Sequence, residues 1–450
     1  MRMPDLLATK NGRLAAFFFL YLTEGIPLGF TAIAIATQMR RQGLTPAAIG
    51  AFVGSLYLPW AFKWAIGPFV DVLSSDRWGR RRMWIVIAQV LMVATLLAAL
   101  PVHFTTQIKL FTTLILIHNV FAATQDVAID ALAVNVLQES ERGLANGLMF
   151  GGAYLGQMIG GSGVLFLTPK LGFPPTYFFV AAWILSITLL VALPLREPQG
   201  PPRPPSSDPP LATAAREIKT FAIDALKAFV GTRAAFIGLI FALLPAGAYA
   251  LGLALQSNLA VELGLNDTQV GWLNLWTAVI SALGCVAGGW LSDRFGRRRM
   301  LALFLFATAI PTVALAFAMQ RYGWIHPVLP LQVPRPVPPP ALVRAMWIAV
   351  LTYSVPQGLM YGTRTALFMD VTTPRVAATQ FTAYMAMLNL VISYSANWQG
   401  WAVERWGYPL TLAADAGFGV LSIALLPLMA AKRRVEAPAP GLAIPEAIEP

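Results

Sequence analysis

Four ionisable residues lie inside stretches of the chain that are otherwise apolar. Glu24 directly precedes Gly25-Ile26-Pro27, Lys63 lies in the next apolar stretch, and Asp126 and Asp130 are one helical turn apart. An ionised side chain inside a bilayer costs at least a few kcal/mol, so such residues face a bundle interior or a water-filled cavity. These groups could take up a proton or bind a charged solute, or they could only lock the helices together as buried ion pairs.

Spacing links these residues to one another. Asn119 precedes Asp126 by about two helical turns, so Asn119, Asp126 and Asp130 share one face of a helix. We predict an ion pair between Lys63 and a carboxylate of this face, and for Asp130, near the cytoplasmic end, a structural contact with the arginine loop that follows the second helix. Pro27 is expected to break its helix locally, which would free backbone groups beside Glu24. Functional and structural roles for Glu24 both stay open.

A second polar set lies in the other half of the chain. Tyr361 and Arg364 are one turn apart, and Gln380 and Tyr384 share a face of the following apolar stretch. Polar stripes in membrane helices often hold neighbouring helices together. The same stripe also suits a sugar-like or peptide-like solute that needs many hydrogen bonds.

Catalytic and metal-binding patterns are missing from the sequence. The single cysteine, Cys285, lies in an apolar stretch, and the three histidines lack the spacing of a metal site. We find no nucleophile elbow, zinc motif or P-loop, and therefore predict no catalytic residue, no metal and no cofactor. The alternative from another class is a membrane-embedded transferase, which would need a nucleophile or base placed beside a partner.

Composition places the chain in a membrane. Hydrophobic residues make up 57% of it and charged residues 12%, against about 25% charged residues in soluble domains. The net charge of +11 fits basic loops beside apolar spans, so nucleic acid is not an expected partner. Twelve stretches are long enough to span a bilayer: Leu14–Thr37, Ala47–Val70, Trp84–Val102, Leu110–Leu132, Leu144–Leu167, Thr176–Leu195, Ala234–Asn258, Val270–Leu291, Leu301–Met319, Arg344–Thr365, Gln380–Trp401 and Tyr408–Ala431.

The distribution of Lys and Arg predicts that both chain ends are cytoplasmic, because the opposite orientation would place both Arg-Arg-Arg clusters outside. We predict four segments: a six-helix bundle over residues 1–197, a cytoplasmic linker over 198–232, a second six-helix bundle over 233–431 and a disordered tail over 432–450. The linker begins with a Pro-rich stretch. It continues as a predicted amphipathic helix with Ile218, Ala222, Ala225 and Phe229 on one face.

An internal repeat supports two related halves. Asp76-Arg77-Trp78-Gly79-Arg80-Arg81-Arg82-Met83 is matched by Asp293-Arg294-Phe295-Gly296-Arg297-Arg298-Arg299-Met300, each after the second helix of its half. The stretch from Gly289 to Arg299 resembles the signature loop of the major facilitator superfamily. That resemblance implies an all-α membrane fold of two pseudo-symmetric six-helix bundles. It also implies a gating loop motif formed by Gly67, Asp71, Asp76, Arg77, Gly79, Arg80, Asp130, Gly289, Asp293, Arg294, Gly296 and Arg297.

Several segments resemble one group within that superfamily, the AmpG permeases. They are Leu22–Gly29, Phe62-Lys63 with Pro68 and Asp71, Ala123–Asp130, Glu141-Arg142-Gly143 and Ala378–Phe381. The group imports 1,6-anhydromuropeptides with the proton gradient, and Lys63, Gln125 and Asp126 correspond to its motifs by position. Acetyl-CoA transporters share the first-half motifs, and siderophore importers form another related branch.

The resemblance implies a multi-pass inner-membrane transporter that works as a monomer. Its partners would be a small polar solute (a muropeptide), protons and membrane lipids. The predicted substrate and proton pathway consists of Glu24, Lys63, Asn119, Gln125, Asp126, Tyr361, Arg364, Gln380 and Tyr384.

Overall fold

The computed structural model of the protein describes residues 5–73, 75, 77–198, 209–328, 336–372 and 377–429. These residues form helices joined by short loops, and no β-strand occurs among them. The all-helical fold class predicted from the sequence is confirmed. A helix pairs its own backbone N–H and C=O groups, which is why so apolar a chain folds into helices rather than open sheets.

The first half contains six membrane helices, numbered here in chain order. Helices 1 to 4 are Lys10–Arg41, the bent pair Pro46–Ala61 with Lys63–Val72, Arg80–Ala99 and Ile108–Val136. Helix 5 continues through Glu139–Met158, Ile159–Gly163 and Val164–Leu171, and helix 6 is Pro175–Ala192. Because the helix number is even, this half begins and ends on the same side of the bundle, called here the termini side.

The second half follows a linker helix, Pro210–Val230. Helix 7 consists of Arg233–Ala242 and Ala254–Glu262, and helices 8 to 10 are Asp267–Phe295, Arg297–Arg321 and Pro340–Val371. Helices 11 and 12 lie within Ala377–Leu421 and Ser422–Met429, and are separated at Gly407. Gly407 has a φ of 80°, a left-handed conformation that glycine adopts without steric cost.

Seven helices of the described residues are by themselves long and apolar enough to cross a membrane, and nine if bent pairs are included. One of the seven, Gln380–Met429, contains both helix 11 and helix 12. Helices 5, 7 and 10 complete the twelve predicted spans, although polar residues or a break lower their hydropathy. The linker helix is not a span, because it meets the start of helix 7 at 113°.

Two predictions about helix breaks are wrong. Helix 1 is not broken at Pro27: it remains α-helical to Gly29 and widens into a π-helical segment over Phe30–Ile35. Helix 7, predicted as a continuous span over Ala234–Asn258, is instead interrupted between Ala242 and Ala254. Pro245 and Gly247, the latter with a φ of 81°, lie within this interruption.

The predicted linker and its surroundings are partly described. The amphipathic helix forms, with Ala225 and Phe229 buried and the Phe221 ring stacked on Trp64 of helix 2 at 5.6 Å between centroids. The predicted loop Glu141-Arg142-Gly143 is instead the first turn of helix 5. Asp76, most of the Pro-rich stretch before the linker helix and the predicted tail over 432–450 lie outside the described residues.

Candidate functional site

A cluster of ionisable side chains forms between helices 1, 2 and 4. Lys63 Nζ lies 2.9 Å from Asp126 Oδ2 and 3.8 Å from Asp130 Oδ2, so the predicted ion pair between Lys63 and this helix face forms. The hydroxyl of Tyr21 donates to Asp130. Asp126 is nearly inaccessible, whereas 43% of the Asp130 side chain is exposed, so the cluster reaches water through Asp130.

Glu24 joins this cluster to a central cavity. Its carboxyl group is near enough to that of Asp126 for the two to interact electrostatically, and Oε2 has no hydrogen-bond partner among the described residues. Close packing fixes the position of helix 1, because a Cβ on Gly25 would lie 1.9 Å from the carbonyl oxygen of Ala153 on helix 5. Glu24 also lines the cavity. One side chain therefore belongs to both the charged cluster and the water-accessible space.

The cavity lies between the two halves and has a volume of about 320 Å³. Ligand pockets commonly measure about 300–1,000 Å³, so this one is at the small end of the range. Its wall alternates apolar and polar groups, and the polar side chains include Tyr57, Tyr154, Gln157, Gln256, Asn274, Gln357 and Asn389. Hydrogen-bonding groups from both halves thus face one space, as recognition of a polar solute requires.

Arg364 and Tyr361 bring the second half to this cavity. Both line it, and Arg364 is 2% exposed. Arg364 Nη1 donates to the Tyr249 hydroxyl at 2.8 Å, and its guanidinium carbon lies 5.6 Å from the Tyr361 ring centroid. Tyr249 also lines the cavity and is missing from the predicted pathway. Its place beside a broken helix is the signal that could have identified it.

Four further residues of the predicted pathway do not line the cavity: Asn119, Gln125, Gln380 and Tyr384. Asn119 Nδ2 donates to the Ile115 carbonyl of its own helix, and Gln125 Oε1 accepts from the Thr23 hydroxyl at 3.2 Å. Gln380 Nε2 lies 3.5 Å from a carbonyl oxygen of the linker helix. Tyr384 donates to a carbonyl of helix 7 at 3.0 Å and stacks on Phe368. Apart from that of Asn119, these contacts connect neighbouring helices.

The break in helix 7 is held by Asp415 of helix 12. Asp415 Oδ2 accepts from the backbone N–H groups of Tyr249 and Ala250 at 2.8 and 2.9 Å. Its Oδ1 accepts from Gln399 Nε2 at 2.7 Å. Backbone groups freed by the interruption thereby regain an acceptor, as buried N–H groups must. Asp415 lies inside the predicted span Tyr408–Ala431, and this intramembrane acid was a signal that the predicted pathway does not include.

Ion pairs close the bundle on the side opposite the termini. Arg40 Nη2 of helix 1 lies 2.7 Å from Glu262 Oε2 of helix 7, with both side chains buried. Arg41 pairs with Asp267 at the start of helix 8. Glu262 also accepts from Trp324 Nε1, the Val328 N–H and the Tyr408 hydroxyl, so its own half holds it in place. These pairs, called here the far-side latch, join the two halves directly.

Helix packing extends this closure inward from the far-side latch. A Cβ on Gly50 of helix 2 would lie 2.4 Å from the carbonyl oxygen of Ala396 on helix 11. On the other flank, Phe166 of helix 5 occupies the space where a Cβ on Gly271 of helix 8 would lie. The closest contacts between the halves therefore lie towards the far side.

The two copies of the predicted gating loop form different contacts. In the first, Arg81 pairs with Asp71, and Glu197 accepts from the N–H groups of Arg81 and Arg82 at 2.7 and 3.1 Å. In the second, Arg297 contacts Asp293 at 2.9 Å and Asp370 at 2.5 Å. Gly79 and Gly296 occupy matching left-handed positions, with φ values of 85° and 95°.

The remaining predicted loop residues take little part in these pairs. Gly67 and Gly289 face open space, and Arg294 lies 5.7 Å from the ring centroid of Trp290. Asp130 belongs to the Lys63 cluster rather than to an arginine of the loop.

Comparison with known proteins supplies an independent view of this architecture. The family model described as Major Facilitator Superfamily matches residues 14–396 and, in a second match, residues 237–448. The anhydromuropeptide permease of Escherichia coli (strain K12) is 24% identical over 404 residues, which cover 89% of this chain and 76% of that protein. The putative transporter AmpG 4 of Rickettsia conorii is 26% identical over 166 residues, 36% of this chain and 40% of that protein.

Solved structures share the arrangement of helices. The crystal structure of a D-xylose–proton symporter aligns with a TM-score of 0.67 at 14% identity, covering 92% of this chain and 96% of that one. A POT family transporter in complex with a thioalcohol-conjugated peptide aligns with a TM-score of 0.67 at 11% identity, covering 92% and 95%. At these identities the likeness concerns the fold.

Proposed function

The chain belongs to the Major Facilitator Superfamily, and from this premise we propose that it imports anhydromuropeptides, or a similar polar solute, by symport with protons. It is a multi-pass membrane transporter with relatives among the AmpG permeases, not an enzyme. The substrate, the proton coupling and a location in the bacterial inner membrane are the proposed parts.

The observation that carries the proposal is the position of Glu24. This side chain lines the central cavity and interacts electrostatically with Asp126, which pairs with Lys63. A solute in the cavity and a proton on the cluster would therefore influence each other through one carboxyl group. Such an interaction supports coupling between a solute and an ion, since each must change the binding of the other.

Charge balance supports proton uptake by the cluster. Glu24, Asp126 and Asp130 supply three carboxyl groups, and Lys63 supplies the neighbouring ammonium. Neighbouring carboxylates repel one another, so a proton on one of them lowers the cost of enclosing the cluster. A charge that crosses 100 mV is worth about 2.3 kcal/mol, enough to bias the transition between states.

The far-side latch supports alternating access. With both chain ends in the cytoplasm, as the basic loops predict, the latched side is periplasmic and the structure corresponds to an inward-facing state. Import would require the pairs from Arg40 and Arg41 to separate, so that the halves rock about the cavity and open it to the periplasm.

Transport by the purified protein in proteoliposomes tests the proposal. We expect an imposed proton gradient to stimulate uptake of an anhydromuropeptide, and not of acetyl-CoA or a ferric siderophore. Asp126→Asn should abolish the stimulation while exchange across the membrane without a gradient continues. Asp224→Asn, the same change at an exposed position of the linker helix, is the matched control.

The possible outcomes separate the parts of the proposal. Gradient-driven uptake of acetyl-CoA or the siderophore instead would contradict the muropeptide assignment and keep the coupling. Normal stimulation in Asp126→Asn would contradict the role of the cluster.

A further inference from the structure

Arg364 is a buried cation of the central cavity without an acidic partner. Its guanidinium is 2% exposed, and no carboxylate among the described residues lies within ion-pairing distance of it. Nη1 donates to the Tyr249 hydroxyl at 2.8 Å, whereas Nε has no partner in the described part of the chain. Arginine stays charged in proteins, so this site cannot escape its charge by losing a proton.

Two other buried cations of the bundle have acidic partners. Lys63 lies 2.9 Å from Asp126, and Arg40 lies 2.7 Å from Glu262. An uncompensated charge in a low-dielectric interior is strongly destabilising, which is why buried charges are paired. Arg364 lies in the wall of the cavity, so an anion that enters the cavity could supply the missing charge.

One edge of the Arg364 guanidinium is unpaired among the described residues. Tyr249 engages Nη1 and the Tyr361 ring lies 5.6 Å from the guanidinium carbon, so both tyrosines hold the group in place. The edge that contains Nε makes no hydrogen bond with the described residues. Two parallel N–H groups on such an edge match the two oxygens of a carboxylate.

The charge of the cavity favours a singly charged anion. Glu24 lines the same space, and its carboxyl group is part of a cluster with more acids than bases. A carboxylate would neutralise Arg364 one for one. A doubly charged phosphate would add an uncompensated negative charge near Glu24.

We propose that Arg364 is the specificity-determining residue of the cavity, and that it recognises a carboxylate of the transported solute through the unpaired edge of its guanidinium. This inference rests on the proposed transport function and names the chemical class of its solute. Tyr249 and Tyr361 act as positioning residues, because they orient Arg364. An uncharged solute of the same shape would leave the guanidinium uncompensated and would bind poorly.

Stability of the empty protein gives a test that needs no substrate. Arg364→Gln removes the unpaired charge and keeps an amide that can donate to Tyr249, so the purified variant should unfold at the same temperature as the wild type or higher. Arg344→Gln, at an exposed position near the other end of helix 10, is the matched control. A marked fall in the unfolding temperature of Arg364→Gln alone would show that the arginine is a structural partner, and would overturn the proposal.

Binding to the full-length protein in detergent gives the second test. The probes are an anhydromuropeptide, a dipeptide and a sugar acid, each paired with the same compound carrying amides in place of carboxylates. At least one acid should bind the wild type about 10- to 100-fold more tightly than its amide, the range expected of a charge-assisted pair. Arg364→Gln should abolish this preference, and Arg364→Lys should retain part of it.

The outcomes distinguish this inference from the proposed function. If only the dipeptide or the sugar acid shows an Arg364-dependent preference, the muropeptide assignment fails and the carboxylate site stands. If the muropeptide binds and none of the three acids is preferred over its amide, the carboxylate site fails and the muropeptide assignment stands. If no acid is preferred by the wild type, the inference is overturned.

Discussion

The two halves of the bundle compensate their buried charges in different ways. In the first half, Lys63 pairs with Asp126, so opposite charges from helices 2 and 4 balance each other. In the second half, Asp415 accepts hydrogen bonds from the backbone of helix 7, and Arg364 has a tyrosine hydroxyl as its partner. Apart from the far-side latch, which joins the halves, the first half therefore contains the counter-charges of its own buried ions. Near the cavity, the second half binds Asp415 through neutral donors and leaves Arg364 without a counter-charge among the described residues.

This difference in charge compensation results from a difference between the backbones of helices 1 and 7. Helix 1 stays continuous through a π-helical segment, so its N–H groups remain paired and Glu24 has no backbone donor to accept from. Helix 7 is interrupted, and its free N–H groups are donors for Asp415. A broken helix can hold a carboxylate without a cation, whereas an intact one requires a neighbouring charge. Unequal helices in two related halves thus give the cavity two chemically distinct walls.

Lys63→Ala should give the largest effect, because it leaves three carboxyl groups without their ammonium. We expect the free energy of unfolding to fall by about 3–5 kcal/mol, the cost of breaking a buried pair. Denaturant titration of the purified protein measures this change. Lys109→Ala, at an exposed position near the start of helix 4, should have little effect.

A double variant sharpens the same prediction. Asp126→Asn removes one of the carboxylates that Lys63 balances. Lys63→Ala should therefore lower the free energy of unfolding less in the Asp126→Asn background than in the wild type. Equal losses in both backgrounds would mean that the two side chains do not interact energetically.

Asp415→Asn should lower the free energy of unfolding by clearly less than Lys63→Ala, by about 1 kcal/mol, because the partners of Asp415 are neutral. The asparagine oxygen can still accept from the backbone of helix 7. Its amide can donate to Gln399, whose Oε1 has no partner among the described residues. Denaturant titration under the same conditions gives the comparison with Lys63→Ala. A loss as large as that of Lys63→Ala would mean that the negative charge of Asp415 is itself required, and the contrast between the halves would disappear.

The charge pairs of the first six-helix half can be predicted from the sequence better than the broken helix of the second half. Charged residues in apolar stretches are visible without a structure, and the spacing of Asp126 and Asp130 predicts their common face and the pairing with Lys63. The break in helix 7 is harder to predict, because Pro245 and Gly247 resemble Pro27 and Gly29, where the helix continues. Which proline breaks a helix depends on acceptors such as Asp415, which is far away in the chain.

Contacts between the halves are equally hidden in the sequence. Arg40 and Arg41 appear as ordinary loop charges, since nothing local connects them with Glu262 and Asp267. Gln380 and Tyr384 have the helical spacing of a cavity stripe, yet they contact neighbouring helices. Spacing gives the shared face of a helix, and only the packing of distant helices decides what that face meets.

The smallest effect is expected at the termini side, where each half has an ion pair outside its predicted apolar stretches. In the first half, Arg13 Nη2 lies 2.6 Å from Glu141 Oε1, outside the apolar stretches Leu14–Thr37 and Leu144–Leu167. In the second, Arg297 pairs with Asp293 and Asp370, whose side chains are 64% and 46% exposed. Water screens the second set more strongly, so the Arg13–Glu141 pair should give the larger response to pH.

The sign of that response follows from the hydrogen bond between Arg13 and Glu141, which lowers the pKa of Glu141 below its ordinary value of 4.5. A carboxyl group with a lowered pKa stabilises the folded state above its unfolded-state pKa, and this contribution is lost as the pH falls through the folded-state pKa. The unfolding temperature of the wild type should therefore fall more between pH 6 and pH 3 than that of Glu141→Gln, which keeps the side-chain shape without the charge. Glu217→Gln, at an exposed position of the linker helix, should follow the wild type. Parallel curves for wild type and Glu141→Gln would mean that the pair contributes nothing, and that the charges that stabilise the first half lie within the membrane, at Lys63 and its carboxylates.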